Sequence, residues 1–146
     1  MKILFLGDVV GISGCSKVIN NLKSEIEKKN INFVILNGEN SAEPGVGLTE
    51  EICKDFFNCG VNVITSGNHV WDQKEIMSYI DKEKRLLRPY NLFEPSPGKG
   101  FEIYKTSTNI NIGVLNLMGN VFMKKCEDVF ETAKKFLKEN ILKENY

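Results

Sequence analysis

The sequence predicts an α/β fold built on a mostly parallel sheet, and three observations predict it. Short, continuous apolar runs alternate with amphipathic helical segments along the first part of the chain, the pattern of strands buried on both faces and crossed over by helices. Each of the first three apolar runs ends in a polar cluster that carries a glycine. Two later apolar segments flank a short polar turn, as the arms of a hairpin do.

Ile3 to Gly7 reads as a buried first strand, followed by Asp8 and a loop containing Gly11 and Gly14. Val18, Ile19, Leu22 and Ile26 recur at helical spacing and predict a helix from about Cys15 to Lys29, broken by Asn30 and Asn32. Phe33 to Leu36 is the second strand. After a loop from Asn37 to Leu48, Thr49 is placed to cap a helix whose first turn carries Glu50 and Glu51 and whose buried face is Ile52, Phe56 and Phe57. Gly60 ends that helix, and Val61 to Thr65 is the third strand. Asp72 to Tyr79 reads as helical with Asp72 as its cap, and Arg88 to Gly100 as a long irregular loop. Phe101 to Lys105 and Ile110 to Leu117 pair as a hairpin across Ser107-Thr108-Asn109. Glu127 to Asn140 is a last amphipathic helix, with Val129, Phe130, Ala133, Phe136, Leu137 and Ile141 on its apolar face.

A chain of 146 residues, 42% hydrophobic and 26% charged, makes one soluble globular domain over residues 1–146. Lys+Arg and Asp+Glu each total 19, for a formal net charge of zero, which argues against a general polyanion binder. The apolar stretches are too short to span a bilayer, so no membrane partner is expected. The N-terminal apolar run lacks a cleavage signature. The 4 cysteines, Cys15, Cys53, Cys59 and Cys126, show no C-x-x-C spacing and read as reduced, structural thiols in a cytoplasmic protein.

The polar clusters are Gly7-Asp8-Val9-Val10-Gly11, Asn37-Gly38-Glu39-Asn40 and Ser66-Gly67-Asn68-His69-Val70-Trp71-Asp72. In a parallel sheet the carboxyl ends of the strands line the ligand crevice. Asp8, Glu39 and Asn68 therefore converge on one small volume. Two carboxylates held together there need a cation between them, or a proton on one of them. Taken singly each cluster has a plainer reading, Asp8 as a turn residue and Gly-Asn-His as a turn; together and in this order they read as one site. The basic run Lys82, Lys84, Arg85 and Arg88 reads as a solvated helix end, because Asp81 and Glu83 interleave. Trp71 reads as packing against the sheet, and Met118, Phe122 and Met123 as core or as a face for a missing half.

Gly-Asp-x-x-Gly, then Gly-Glu-Asn, then Gly-Asn-His-x-Trp-Asp resembles the YmdB-like branch of the calcineurin-type metallophosphoesterases. Lys84-Arg85-Leu86-Leu87-Arg88-Pro89 and Asn116-Leu117-Met118-Gly119-Asn120-Val121-Phe122-Met123 extend the resemblance over essentially the whole chain. It implies a metallophosphoesterase-like, four-layer α/β sandwich that hydrolyses phosphodiesters such as 2′,3′-cyclic nucleotides or RNA-related substrates. It also implies a centre of two divalent metal ions, Fe or Mn. By motif, Asp8 would bind the first metal, Glu39 would bridge both, Asn40 would bind or flank the first, and Asn68 would bind the second. His69 would steady the phosphoryl oxygen or protonate the leaving group. Ser41 to Gly47 departs from the family's glycine-rich segment with an aromatic, and Cys15 stands where a basic residue is common.

The resemblance also implies three histidines beyond the point matching Tyr146, whereas this sequence has 1 histidine, His69. Four oxygen donors cannot fill two coordination spheres of about six ligands each, so the expected half-site holds Mg or Mn weakly. The chain also stops directly after a helix, which reads as a stop in mid-fold with an incomplete second half. The first expectation is therefore a metal-dependent phosphodiesterase that is inactive alone or needs a partner chain or a longer version of the chain to supply the histidines. The alternative is a non-catalytic truncated remnant or an interaction module prone to self-association. Metal-free nucleotide binding is disfavoured, because no Gly-x-Gly-x-x-Gly or P-loop spacing follows the first strand.

Overall fold

A computed structural model describes residues 1–93, 95–106, 108–123 and 125–140. Strands β1 (Ile3–Leu6), β2 (Phe33–Asn37), β3 (Val63–Thr65) and β4 (Leu86–Leu87) form a parallel sheet in that spatial order. The intervening helices are α1 (Gly11–Lys29), α2 (Glu50–Asn58) and α3 (Ile76–Ile80). Because right-handed crossovers that all step in one direction place their helices on one face, the three helices share a side of the sheet. The register sets Leu36 beside Ile64 and Ile64 beside Leu86. These side chains meet Leu22 of α1, Phe56 of α2 and Ile76 and Ile80 of α3 in the main core. Full burial of a side chain such as Phe56 contributes about 1.5–3 kcal/mol.

The opposite face carries Phe33, Val63 and Leu87, as strand alternation requires. It is covered by the antiparallel hairpin of β5 (Phe101–Lys105) and β6 (Asn111–Leu115), whose Tyr104, Ile112 and Val114 complete a second core. The Phe33 and Tyr104 rings meet at a tilt, 6.0 Å between centroids. Phe101 projects from the outer side of the hairpin and meets Phe136 of α4 (Val129–Asn140) edge-on at 4.6 Å. The layers run helices, parallel sheet, hairpin, helix, which is the four-layer sandwich that the motifs imply.

The long connection after β4 is held by two buried amides. Asn91, fully buried, donates to the carbonyls of Met118 (2.7 Å) and Glu127 (2.9 Å) and accepts from the Met118 N–H (2.9 Å). Asn116 donates to the carbonyls of Ser66 (2.7 Å) and Leu87 (3.1 Å). Thr49 caps α2 as expected, its Oγ1 accepting from the Ile52 N–H at 3.2 Å.

Several expectations are corrected. The first strand is not the buried strand expected: Leu4 and Leu6 pack on the helix side, but Ile3 is 48% and Phe5 60% exposed. Among the described residues β1 is an edge strand, and the hairpin core reaches only β2 to β4. Helix α1 begins at Gly11 rather than near Cys15, with the Gly11 N–H donating to the Asn40 carbonyl at 2.9 Å. The segment Lys82 to Arg88 is a solvated helix end only in part: Lys82, Lys84 and Arg85 follow α3 and are exposed, whereas the rest turns inward. Leu86 and Leu87 form β4, and Arg88 is 6% exposed, its guanidinium donating to the carbonyls of Pro89 (2.8 Å) and Pro97 (3.1 Å).

Asp72 does not cap a helix, because α3 starts only at Ile76. On α4 the buried residues are Thr132 and Phe136, while Phe130 and Leu137 are exposed; Ile141 lies outside the described residues, as does Ser107 of the hairpin turn. Asp128 caps α4 by accepting from the N–H groups of Phe130 and Glu131, each at 2.9 Å. Met118 is core, whereas Phe122 and Met123 are exposed. No helix among the described residues is long and apolar enough to cross a membrane.

Candidate metal centre

The strand ends deliver the polar clusters to one rim. Asp8 follows β1, Glu39 and Asn40 follow β2, and Asn68 and His69 follow β3. The first two loops are stitched by backbone hydrogen bonds from Val9 N–H to the Asn37 carbonyl (3.0 Å) and from Gly11 N–H to the Asn40 carbonyl (2.9 Å). The Ser41 hydroxyl adds a bond to the Val9 carbonyl at 2.9 Å. Within this frame the Asn40 amide nitrogen donates to both oxygens of the exposed Asp8 carboxylate, at 3.0 and 2.9 Å.

The second and third loops meet just as closely. Gly38 N–H donates to the Thr65 carbonyl at 3.0 Å, and Asn37 Oδ1 accepts from the Glu39 N–H at 3.0 Å, which turns the chain towards β3. The Glu39 carboxylate then lies against Gly67: a Cβ at that position would sit 2.0 Å from Glu39 Oε2. Only glycine leaves room for the carboxylate.

Two acceptors at this point have no donor. Glu39 Oε2 and Asn40 Oδ1 are buried and make no hydrogen bond. A buried acceptor left unpaired costs roughly 1–3 kcal/mol, and a charged one more, so each such atom calls for an ordered water, a bound ion or a catalytic role. Oxygen acceptors facing the same rim as a second carboxylate suit a hard divalent cation. Among the described residues no three His, Cys, Asp or Glu side chains cluster for a metal ion. The oxygen-bearing side chains that the strand ends bring to this rim are those of Asp8, Glu39 and Asn40, with Asn68 following Gly67 in the chain. These residues fit one weakly held hard cation and do not complete a two-metal site.

Asn68 and His69 are half-buried. Among the described residues neither is hydrogen-bonded to Asp8 or Glu39; they reach the site through Gly67, their neighbour in the chain. His69 instead donates from Nδ1 to Asp72 Oδ2 at 2.6 Å, across a turn closed by Asp72 N–H to the His69 carbonyl (3.1 Å). Asp72 is the polar partner that the sequence reading missed; its position three residues after His69 within Gly-Asn-His-x-Trp-Asp was the available signal. Trp71 packs on the main core as expected. The loop Ser41 to Gly47 is fastened over this turn, with Gln73 donating to the Val46 carbonyl at 3.1 Å.

The cysteines take no part. All four are unpaired and buried, the Cys15 thiol donates to the Ser41 carbonyl at 3.2 Å, and burial pushes the thiols of Cys15 and Cys53 above their ordinary range.

The family model described as YmdB-like protein matches residues 4–146. The 2′,3′-cyclic-nucleotide 2′-phosphodiesterase of Bacillus subtilis (strain 168) is 41% identical over 139 residues, covering 95% of this chain and 52% of its own length. A crystal structure of a hypothetical protein from Thermus thermophilus superposes with a TM-score of 0.86 at 32% identity, covering 96% of this chain and 54% of that one. A crystal structure of a novel phosphatase from Mycoplasma pneumoniae gives the same TM-score, 0.86, and identity, 32%, with 51% of its chain covered. The chain spans about half the length of the curated relatives it matches.

Proposed function

We infer the function from kinship and rim chemistry together: this chain belongs to the YmdB-like protein family, and its oxygen-donor rim serves metal-dependent hydrolysis of a phosphodiester. The substrate class is a cyclic nucleotide or an RNA-related phosphodiester, in keeping with the name of the Bacillus subtilis relative. The observation that carries the reading is the buried, donorless Glu39 Oε2 pressed against Gly67, one residue from the amide that grips Asp8.

Asp8 and Glu39 supply the negative charge that holds a divalent cation. Asn40 orients Asp8 by donating to both of its oxygens, a flanking role that keeps the carboxylate from rotating away. Asn68 adds a neutral oxygen donor, which limits the charge of the site so that an anionic phosphodiester still approaches. When bound, divalent cations polarise the phosphoryl oxygens and offset the charge that builds up during displacement. His69 holds or delivers a proton at the leaving oxygen. The imidazole donors of a complete two-metal site must come from further sequence or a partner chain, because His69 is the sole histidine here.

The test is Mn²⁺ binding followed by the loss of the free-ion paramagnetic resonance signal, with hydrolysis of bis-p-nitrophenyl phosphate measured on the same samples. The expected result is weak binding, with a dissociation constant on the order of 10⁻⁴–10⁻³ M as for loosely built oxygen sites. Asp8→Ala abolishes it, and turnover is low in both. Binding unchanged in Asp8→Ala and in Glu39→Ala would refute the site. Robust turnover that disappears in Asp8→Ala would refute its incompleteness.

A further inference from the structure

We propose that the outer edge of β1 docks a second copy of this chain, which lays its own β1 antiparallel to the first across a two-fold axis. Among the described residues β1 pairs with β2 alone. Lys2 turns its backbone inward: its N–H donates to Asn32 Oδ1 at 2.8 Å, and its carbonyl accepts from the Asn32 N–H at 2.9 Å. Successive residues of an extended strand direct their N–H and C=O groups to opposite edges. Ile3, Phe5 and Gly7 therefore direct theirs outward, where no described strand meets them. A Cβ on Gly7 would find nothing within 4 Å.

Edge strands are ordinarily blunted by a charge, a proline, a bulge or a covering segment. Ile3–Leu6 carries no charge and no proline, and it runs against β2 in unbroken register. The hairpin core ends at β2, so the side chains of Ile3 and Phe5 stand exposed beside the open backbone. A row of free donors and acceptors flanked by apolar side chains is a template for one more strand.

Charge decides which strand fits and how it runs. Lys2 precedes β1 and Asp8 follows it. Antiparallel pairing of two copies sets Lys2 of each opposite Asp8 of the other, whereas parallel pairing would set like charges side by side. The same register puts Phe5 opposite Phe5 and Ile3 opposite Gly7, all residues whose backbone groups face the shared edge. Each such pair exchanges two hydrogen bonds. The axis stands perpendicular to the sheet, so the helices of both copies lie on one side and the hairpins on the other. Ile3 and Phe5 of the two copies then fill the strip between the hairpins. The contact is isologous and closes at two chains, and the two rims lie at opposite ends of one continuous sheet.

Sedimentation velocity of the full chain over a concentration series tests this. The 16.5 kDa species is expected to give way to one of twice that mass as concentration rises. Phe5→Lys, which places a charge on an exposed side chain of the edge, is expected to stay monomeric. Phe5→Cys checks the register. Paired Cα atoms about 5.5 Å apart are within disulfide reach, and the native cysteines are all buried. Under mild oxidation Phe5→Cys should become a covalent dimer, while Phe130→Cys, at an exposed position on α4, should not. A wild-type chain that stays monomeric throughout would overturn the proposal and leave the edge to a different strand. A dimer that survives Phe5→Lys, or equal cross-linking at Phe130→Cys, would overturn it as well. The cross-linking comparison decides the matter even if Phe5→Lys does not fold.

Discussion

Gly67→Ala separates the fold from the site. The added methyl would lie 2.0 Å from Glu39 Oε2, 2.6 Å from Cδ and 2.8 Å from Oε1. Ordinary contact begins at 3.4 Å, so the carboxylate oxygen must retreat by 3.4 − 2.0, about 1.4 Å. The clashing atoms are the far end of a flexible side chain, and the backbone need not move, so the cost in stability should stay near 1 kcal/mol. That corresponds to a Tm shift of about 2–6 °C for a domain of this size. A displacement of that length is more than half of a typical bond from a hard cation to oxygen, about 2.0–2.6 Å, and removes Glu39 from the coordination shell. Losing one such ligand should weaken Mn²⁺ binding at least about tenfold, equivalent to about 1.4 kcal/mol. The assay pairs calorimetric Mn²⁺ titration with thermal unfolding. Near-wild-type affinity in a folded Gly67→Ala protein would show that Glu39 is not a ligand and would refute the reasoning.

Two further outcomes are expected. Asn91→Ala removes three hydrogen bonds and strands the Met118 and Glu127 backbone groups in the interior; at about 1–3 kcal/mol for each orphaned group, urea unfolding should show a loss of about 3–5 kcal/mol, and a loss below 1 kcal/mol would contradict the latch. Glu83 accepts a two-pronged contact from Arg85 at 2.8 and 2.7 Å, which holds its carboxyl below the usual range. A lowered folded-state pKa gives stability that is present above the unfolded value and is lost as pH falls through the folded one. Because Arg85 is largely exposed, Glu83→Gln should cost no more than about 1 kcal/mol at neutral pH, and the gap from wild type should close below the ordinary carboxylate range. A gap that persists in acid would place the effect elsewhere.

Much of this architecture was legible in the residues, and the exceptions have identifiable causes. Phe33 to Leu36 and Val61 to Thr65 read as interior strands because they are buried on both faces by different layers. The hairpin was readable because Phe101–Lys105 and Asn111–Leu115 are apolar around a polar turn. β4 was not readable: its two leucines follow a charged run, and only pairing with Ile64 and Thr65 makes them a strand. The exposure of Ile3 and Phe5 depends on which strand lies at the edge, a property of topology and not of the local pattern. Phe130 and Leu137 have the spacing of a buried face, yet α4 meets the hairpin through Phe136. At the rim, the meeting of Asp8 with Asn40 and of Glu39 with the Gly67 turn follows from parallel strands delivering their ends together. The bond from His69 to Asp72 was hidden because aspartate before a helical segment reads first as a cap.

The measurement that bears most directly on the whole account is the anomalous difference map of a crystal grown or soaked with Mn²⁺. The account predicts a peak at the rim between Asp8 and Glu39, with carboxylate oxygens about 2.0–2.6 Å away. A well-ordered rim with no peak at millimolar Mn²⁺, or a peak only at a distant surface carboxylate, would contradict it.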